Sequence, residues 1–532
     1  MKQPAQPSRR QFLKLSSAAA GVGLAATSPS ANAFLFTTTK PARTIKAVVI
    51  GTGFGGAVAG LRLGQAGVKT LMIERGQWWR TQANFNVFSA NLPADHRSSW
   101  FKTLSSPPVK IELPVLPYAG VLDYTDFNGL RTYQGAAVGG GSIVYGGVTV
   151  RSPNFVLQSI FNGQVNVSEM ETKYYPRAEA IIRASTIPED LLNTQYYRYA
   201  QVFKQHAEKA GYTVKPTPSA YDFDIIRKEI NGTIKASAIN GETIYGNNNG
   251  CKKSLDKSYL QLALNTNNVT IADLTIVDSI KPFGAGYSVF TRKINDWGTT
   301  LYYEEIRCEY LFLGAGVVGT NTLLLKAKAE GSLPNLNQHV GTKVGGNGDV
   351  TWARTVPEAL GAKQAAPLTQ TIEDFSNPYG PMTLECAYFP TGIDLRSLVQ
   401  LGVHFDKDRT GPGTFTYSKW QNKLTMNWPS DAGTKPTQAH EHIVNRLNRI
   451  NGGISGVPIF ITKPSTTRVA HPLGGIPLGL ATDAYGRLYG YKRLYVVDGS
   501  LIPGSCLANP SLTIAALAER NMETILAQDI RA

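Results

Sequence analysis

The chain has 532 residues, 42% hydrophobic and 17% charged. That is longer than one hydrophobic core usually serves, so two domains, or one large α/β body with insertions, are expected; low-complexity and heptad-repeat architectures are excluded. The formal net charge is +15, but the cations are scattered and form no basic-aromatic motif. This argues against nucleic acid as a partner and leaves a solvated basic surface or transient contact with anionic membranes.

In chain order, the first segment reads as a targeting signal rather than part of the fold. "SRRQFLK" (Ser8–Lys14) is a twin-arginine signature, followed by the weakly apolar "LSSAAAGVGLAATS" and the small-residue site Ala31-Asn32-Ala33. The apolar run is short and broken by Pro29, which makes it a poor membrane anchor. Residues 1–33 are therefore expected to be cleaved after export of the folded chain to the periplasm or the medium. Losing the leader cations Lys2, Arg9, Arg10 and Lys14 leaves +11. No later stretch approaches the ~20 apolar residues of a spanning helix.

"IKAVVIGTGFGGAVAGLRLGQAGVKTLMIERG" (Ile45–Gly76) follows. It predicts a buried strand over "KAVVI", a helix over "AVAGLRLGQAG" and a second strand over "KTLMI". GxGxxG falls at Gly51, Gly53 and Gly56, and Glu74 lies 18 residues past Gly56. Glycines there permit a tight turn, close approach of a pyrophosphate and tight helix–strand packing, with the helix N-terminus facing the phosphates. Glu74 is placed to accept from a ribose hydroxyl. The pattern predicts a dinucleotide site in a Rossmann-like domain.

Downstream, "YQGAAVGGGSIVYGGVTVRSPN" (Tyr133–Asn154) is a glycine-dense loop suited to lie against a flat cofactor. A second GxGxxG occurs in "YLFLGAGVVGTNTLLLKAKAEG" at Gly314, Gly316 and Gly319. It is either an NADPH site or the chain's return to the first sheet. The following "LPNLNQHVGTKVGG" offers no strand ending in an acid or arginine, which favours the return and a single dinucleotide. Cys251, Cys308, Cys386 and Cys506 form no CxxC and are expected as buried thiols. His440-Glu441-His442 lacks the i, i+4 spacing of a helical zinc site and reads as an exposed helix face, so no metal is expected.

Near the C-terminus, "RVAHPLGG" sets His471 in a rigid turn, and Asn509 follows in "LANPSLTIAALAERN". With the N-terminal fingerprint and the glycine loop, "HPLGG…LYVVDGSLIPGSCLANPSLTIAALAERN" resembles the glucose–methanol–choline (GMC) family of FAD oxidoreductases. "NNNGCKKSLDKSYLQLAL", "YLFLGAG" and "AHPLGG…DAYGRLYGYKRLYVVDGSLIPGS" are similar to its bacterial cholesterol oxidases of the non-covalent FAD type, over roughly residues 45–530. The chain departs at Ala136, where the family usually has a basic residue or asparagine, and at Tyr145, where it usually has asparagine or histidine.

The resemblance implies a non-covalent FAD held by Gly51, Gly53, Phe54, Gly55, Gly56, Glu74, Arg75, Gly135, Gly139, Gly140, Gly141, Ser142, Val277, Asp498, Gly499, Asn509, Pro510 and Ser511. His471 and Asn509 form its signature pair, the imidazole accepting the hydroxyl proton and the amide fixing the oxygen. A helix beginning near Pro510 points its positive end at the flavin. Glu385, in the apolar "PMTLECAYFP", is either a surface-edge residue or a carboxyl with its pKa raised by desolvation. The resemblance makes it the acid/base that moves the ring double bond of a sterol.

The expected fold is α/β, with a discontinuous Rossmann-like FAD domain (34–154, 245–345, 468–532) and a sheet-based, α+β substrate domain (155–244, 346–467). The expected function is oxidation of 3β-hydroxysterols by O2 with Δ5 to Δ4 isomerisation, by a monomer taking sterol from membranes or micelles. Alternatives are a GMC alcohol dehydrogenase using a quinone or cytochrome, and a non-catalytic exported flavin or sterol binder.

Overall fold

The computed structural model describes residues 38–105, 112–128, 130–389, 392–456, 466 and 468–530; the twin-arginine segment lies outside them. The GxGxxG region folds as β1 (Thr38–Ile50), α1 (Phe54–Gln65) and β2 (Thr70–Ile73). Only the end of β1, Ala47–Ile50, is buried, because this is where it runs between two parallel neighbours. The sheet is completed by β3 (Val269–Ala272), β4 (Thr275–Phe283), β5 (Gly286–Ile294) and β6 (Thr300–Leu313), in the order β3-β2-β1-β6-β5-β4. β6 pairs in parallel with β1, Val48 opposite Leu311 and Ile50 opposite Leu313, then leads into α2 (Gly316–Glu330). The second GxGxxG is therefore the return to the first sheet.

A second sheet carries the other half of the molecule. β7 (Val350–Thr355), β8 (Gln370–Asp374), β9 (Met382–Ala387) and β10 (Ser397–His404) pair antiparallel in the order β7-β10-β9-β8. One face is covered by α3 (Thr434–Asn451), whose Ala439, Ile443 and Leu447 share a core with Val350, Leu384 and Leu398. Strand alternation turns Thr351, Ala387, Val399 and Leu401 the other way, into the cavity between the domains.

The chain then re-enters the first domain. β11 (Leu494–Val496) adds to the outer side of β6, Val496 opposite Leu313, and α4 (Ser511–Ile525) packs beside α1. Arg62 of α1 grips Glu519 of α4 with two hydrogen bonds, Nε to Oε2 at 2.6 Å and Nη2 to Oε1 at 2.7 Å.

The domain borders differ from those expected. Val156, Phe161, Tyr175 and Ile182 sit in the same core as α4 rather than with the substrate sheet. So do Phe415, Leu424 and Met426 of the hairpin Thr414–Ser418/Lys423–Asn427. Residues 155–182 and this hairpin pack as part of the nucleotide domain, because the apolar faces they must bury lie on α4 and α2. The four cysteines are free and buried. His440 is fully buried against the substrate sheet, not on an exposed face; only His442 is exposed. Among the described residues no group of three or more His, Cys, Asp or Glu is arranged to hold a metal.

Candidate active site

A cavity of about 700 Å³ runs from the nucleotide turn to the substrate sheet. At one end the chain turns after Ile50 with Gly51 at φ +96°. A Cβ on Gly51 would stand 2.2 Å from the Gly314 carbonyl oxygen, so both glycine motifs pack backbone to backbone. Gly53 and Gly141 face open space, with nothing within 4 Å of an added Cβ, and both line the cavity. This is the cradle a pyrophosphate needs, since a side chain at either position would occupy its place. Three helices, α1, α2 and α4, open on the cavity through Phe54, Gly316 and Ser511, concentrating their positive ends there.

Glu74 ends β2 and lines the cavity. Its Oε2 accepts from Thr52 Oγ1 at 2.7 Å and Thr52 N at 3.2 Å, and its Oε1 from Gly76 N at 2.9 Å. Burial raises its pKa against the opposing pull of these donors. Thr52 Oγ1 also accepts from Gly139 N at 3.0 Å, which ties the nucleotide turn to the glycine loop. Arg75 lines the wall and pairs with Asp123 at 2.7 Å.

Gly55, Gly135, Gly140, Val277, Asp498, Gly499, Asn509 and Pro510 line the cavity too. Asp498 also caps the turn behind it, accepting from Ser500 N at 2.9 Å and Thr320 Oγ1 at 2.5 Å. Gly56, Gly139 and Ser142 are not on the wall. Gly56 backs the turn, where a Cβ would meet Gly51 O at 2.2 Å. The Ser142 hydroxyl donates to Gly139 O at 2.7 Å and accepts from Leu255 N at 3.0 Å. These three shape the loop from behind. Of the two departures, Ala136 points away into a small core with Trp100 and Ile294. Tyr145 lines the cavity, edge-on to Phe54 with ring centroids 5.5 Å apart. The residues present fit a FAD: open glycine backbone for the pyrophosphate, a carboxylate at the end of β2, and helix N-termini beside the remainder.

At the other end, His471, Asn509 and Glu385 come together. His471 lines the cavity with 23% of its side chain exposed into it. Its Nδ1 is 2.8 Å from Asp349 Oδ1. Burial disfavours the imidazolium, but Asp349 and, more weakly, Glu385 outweigh it and hold the pKa above the ordinary value. Asn509 precedes α4 and donates through Nδ2 to Glu385 Oε2 at 3.3 Å. Its own buried Oδ1 has no partner among the described residues, as suits an amide turned towards a bound molecule. Glu385 sits mid-strand in β9, between Thr371 and Leu401, and is 2% exposed. Desolvation raises its pKa to about 7, with His471 and the Asn509 amide pulling the other way. It stands just behind the wall, joined to it through Asn509.

Sequence reasoning missed two supports. Asp349 gives no motif signal in "VGGNGDVTW". Lys252, within the quoted "NNNGCKKSLDK", is buried. Its Nζ donates to the carbonyls of Ile143, Tyr145 and Thr243 at 2.8, 2.7 and 2.9 Å, and burial pulls its pKa down to about 7. It pins the glycine loop from below. The apolar wall of Leu368, Tyr388, Phe389 and Val399 was legible only as a sheet-rich region.

Residues 371–518 match the family model for GMC oxidoreductase. The chain is similar to two proteins named cholesterol oxidase. It is 25% identical over 554 residues to one from Acinetobacter baumannii, covering 90% of this chain and 94% of the relative. It is 24% identical over 552 residues to one from Mycobacterium tuberculosis (strain ATCC 25618 / H37Rv), covering 89% of each. The solved structure of a pyridoxine 4-oxidase from Mesorbium loti shares the fold at a TM-score of 0.64 and 13% identity, covering 91% of this chain and 99% of that one. Residues 371–518 are accordingly a GMC oxidoreductase C-terminal domain, carrying Glu385, His471 and Asn509 on a chain whose α/β fold supplies the dinucleotide cradle.

Proposed function

We propose that the protein oxidises 3β-hydroxysterols with O2 through non-covalent FAD and isomerises the Δ5 ketone to the Δ4 ketone. The observation that carries this is the pairing of buried Glu385 with Asn509 beside His471, at the apolar end of a cavity whose other end is the nucleotide cradle. The similarity to proteins named cholesterol oxidase supports the sterol; FAD-dependent alcohol oxidation is the broader activity.

The chemistry supplied by bound FAD is acceptance of the carbinol hydride, with O2 as terminal oxidant and peroxide as product. The protein's part in oxidation is to take the hydroxyl proton on His471 Nε2 and to orient the oxygen through Asn509. The isomerisation is a proton transfer by Glu385: its carboxylate removes a C4 proton from the 5-en-3-one and returns it at C6. A pKa of about 7 lets one group do both near neutrality. The 3.3 Å bond to Asn509 is long, and its release frees the carboxyl to swing to the cavity. The apolar wall holds the ring system and excludes water.

The test is purified yellow holoprotein mixed with cholesterol, with peroxide measured and the steroids separated. Peroxide together with cholest-4-en-3-one is the expected result. Sterol turnover that requires a quinone or cytochrome would make the protein a dehydrogenase, and binding without turnover a carrier. His471→Ala and Asn509→Leu should slow flavin reduction in anaerobic stopped flow; unchanged reduction removes their roles. We further read the sterol as drawn from membranes or micelles after twin-arginine export, on the strength of the leader and the basic charge.

A further inference from the structure

The short turn between the two sheets holds both arms of the oxidation site. Asp349 uses each carboxylate oxygen on the segment carrying His471. Oδ1 is 2.8 Å from His471 Nδ1, while Oδ2 accepts from the backbone N–H of Ala470 at 2.9 Å and of His471 at 3.1 Å. A carboxylate already fixed by two backbone donors presents its other oxygen to the ring in one direction only. Two residues earlier, fully buried Asn347 grips the segment carrying Asn509. Its Oδ1 accepts from Cys506 N at 2.9 Å, its Nδ2 donates to Ala508 O at 2.8 Å, and its backbone N–H donates to Gly504 O at 3.0 Å. Asn347 does this from a left-handed conformation, φ +57°, next to Gly348 at φ +68°. Such a conformation in a non-glycine residue persists where surrounding contacts over-determine it.

We propose that the turn Asn347-Gly348-Asp349 is the positioning element of the oxidation step: Asp349 holds His471 as the Nδ1–H tautomer with Nε2 facing the cavity, and Asn347 sets the loop that presents Asn509. The proposal rests on His471 being the proton acceptor. A neutral imidazole has one donor and one acceptor nitrogen, and a carboxylate only accepts, so the bond to Asp349 assigns the proton to Nδ1 and leaves the Nε2 lone pair free. The carboxyls facing His471 are Asp349 and Glu385, and only Asp349 is bonded to the ring.

The experiment uses 15N-histidine-labelled holoprotein, with the His471 signals identified by their loss in His471→Gln. Above its pKa, wild-type His471 should carry its proton on Nδ1; a proton on Nε2 overturns the proposal without any variant. Asp349→Asn should release the Nε2–H tautomer and lower the plateau of kcat/KM by ~10²-fold, the lower end of what a positioned base supplies. Its acid limb should move to lower pH, because losing the anion makes the imidazole easier to deprotonate. An unmoved limb with the tautomer unchanged overturns the role of Asp349. Asn347→Gly keeps the backbone conformation accessible and should lower kcat while leaving tautomer and limb in place; wild-type kcat there overturns the role of Asn347. If His471→Ala still oxidises sterol at the wild-type rate, the reading of the base fails, and the tautomer measurement still judges the Asp349–His471 pair by itself.

Discussion

Asn509 Nδ2 and Glu385 Oε2 lie 3.3 Å apart, joining the start of the last helix to the middle of the substrate sheet. One contact thus links the group proposed to orient the oxygen in oxidation to the group proposed to move the double bond.

Glu385→Gln keeps the shape and the contact with Asn509 but cannot cycle a proton. It should still produce peroxide from cholesterol while cholest-5-en-3-one accumulates, with isomerisation reduced by ~10²-fold or more. Chromatography of the products decides it: the Δ4 ketone appearing at the wild-type rate removes Glu385 as the base.

The raised pKa of Glu385 sets a pH limb. Desolvation lifts it from 4.5 to about 7, so below that pH the carboxyl is protonated and cannot abstract. With cholest-5-en-3-one supplied directly, the isomerisation rate should rise with pH through about 7. A limb near the ordinary carboxylate range would contradict the burial argument. The same shift acts on stability. A folded pKa above the unfolded one favours the fold at low pH, and that contribution fades as pH climbs from 4.5 to about 7. The melting temperature of Glu385→Gln should therefore gain on wild type between pH 5 and pH 8.

Two glycines separate cofactor contact from folding. Gly53→Ala meets nothing within 4 Å, so the protein should fold normally yet purify with little flavin. Gly51→Ala must place its Cβ 2.2 Å from Gly314 O at φ +96°, and should lose thermal stability as well. Absorbance of bound flavin beside thermal melts tells the two apart; full flavin in Gly53→Ala would disprove the cradle. Acid precipitation of wild type should release the flavin into solution, whereas flavin kept in the pellet means a covalent bond.

Replacing Arg9-Arg10 by Lys-Lys should leave folded, flavin-loaded protein in the cytoplasm, because the pair is what the export machinery reads. Fractionation with flavin fluorescence checks this, and unchanged export would discard the twin-arginine reading.

The nucleotide end was legible because its logic is local: turn, helix, strand and Glu74 fall within thirty-odd residues. His471 and Asn509 were legible through family spacing; the apolar run around Glu385 left a surface edge and a desolvated carboxyl both open, and only the resemblance singled it out. Asp349 was not, since its partner lies 122 residues later and a single aspartate before a strand carries no periodic signal. The helices of 155–182 were misassigned for the same reason. Their apolar faces looked like those of any second domain until α4, at the far end of the chain, supplied the surface they cover. His440 looked exposed because polar neighbours hide a register that turns it inward.

The placement of β11 and α4 has a consequence for biogenesis. β1 emerges early from the ribosome, but its flank waits for β6, and β6 in turn waits for β11. Asp498, Asn509 and Ser511 close the cavity from residues made later still. Pairings so distant along the chain form slowly, and only after the intervening segment exists. A nascent chain stalled before Leu494 holds the glycine turn but lacks this closing wall. Flavin capture is therefore expected only once these last residues have been made, and truncation of the last forty residues should give an apoprotein rather than a weakened enzyme.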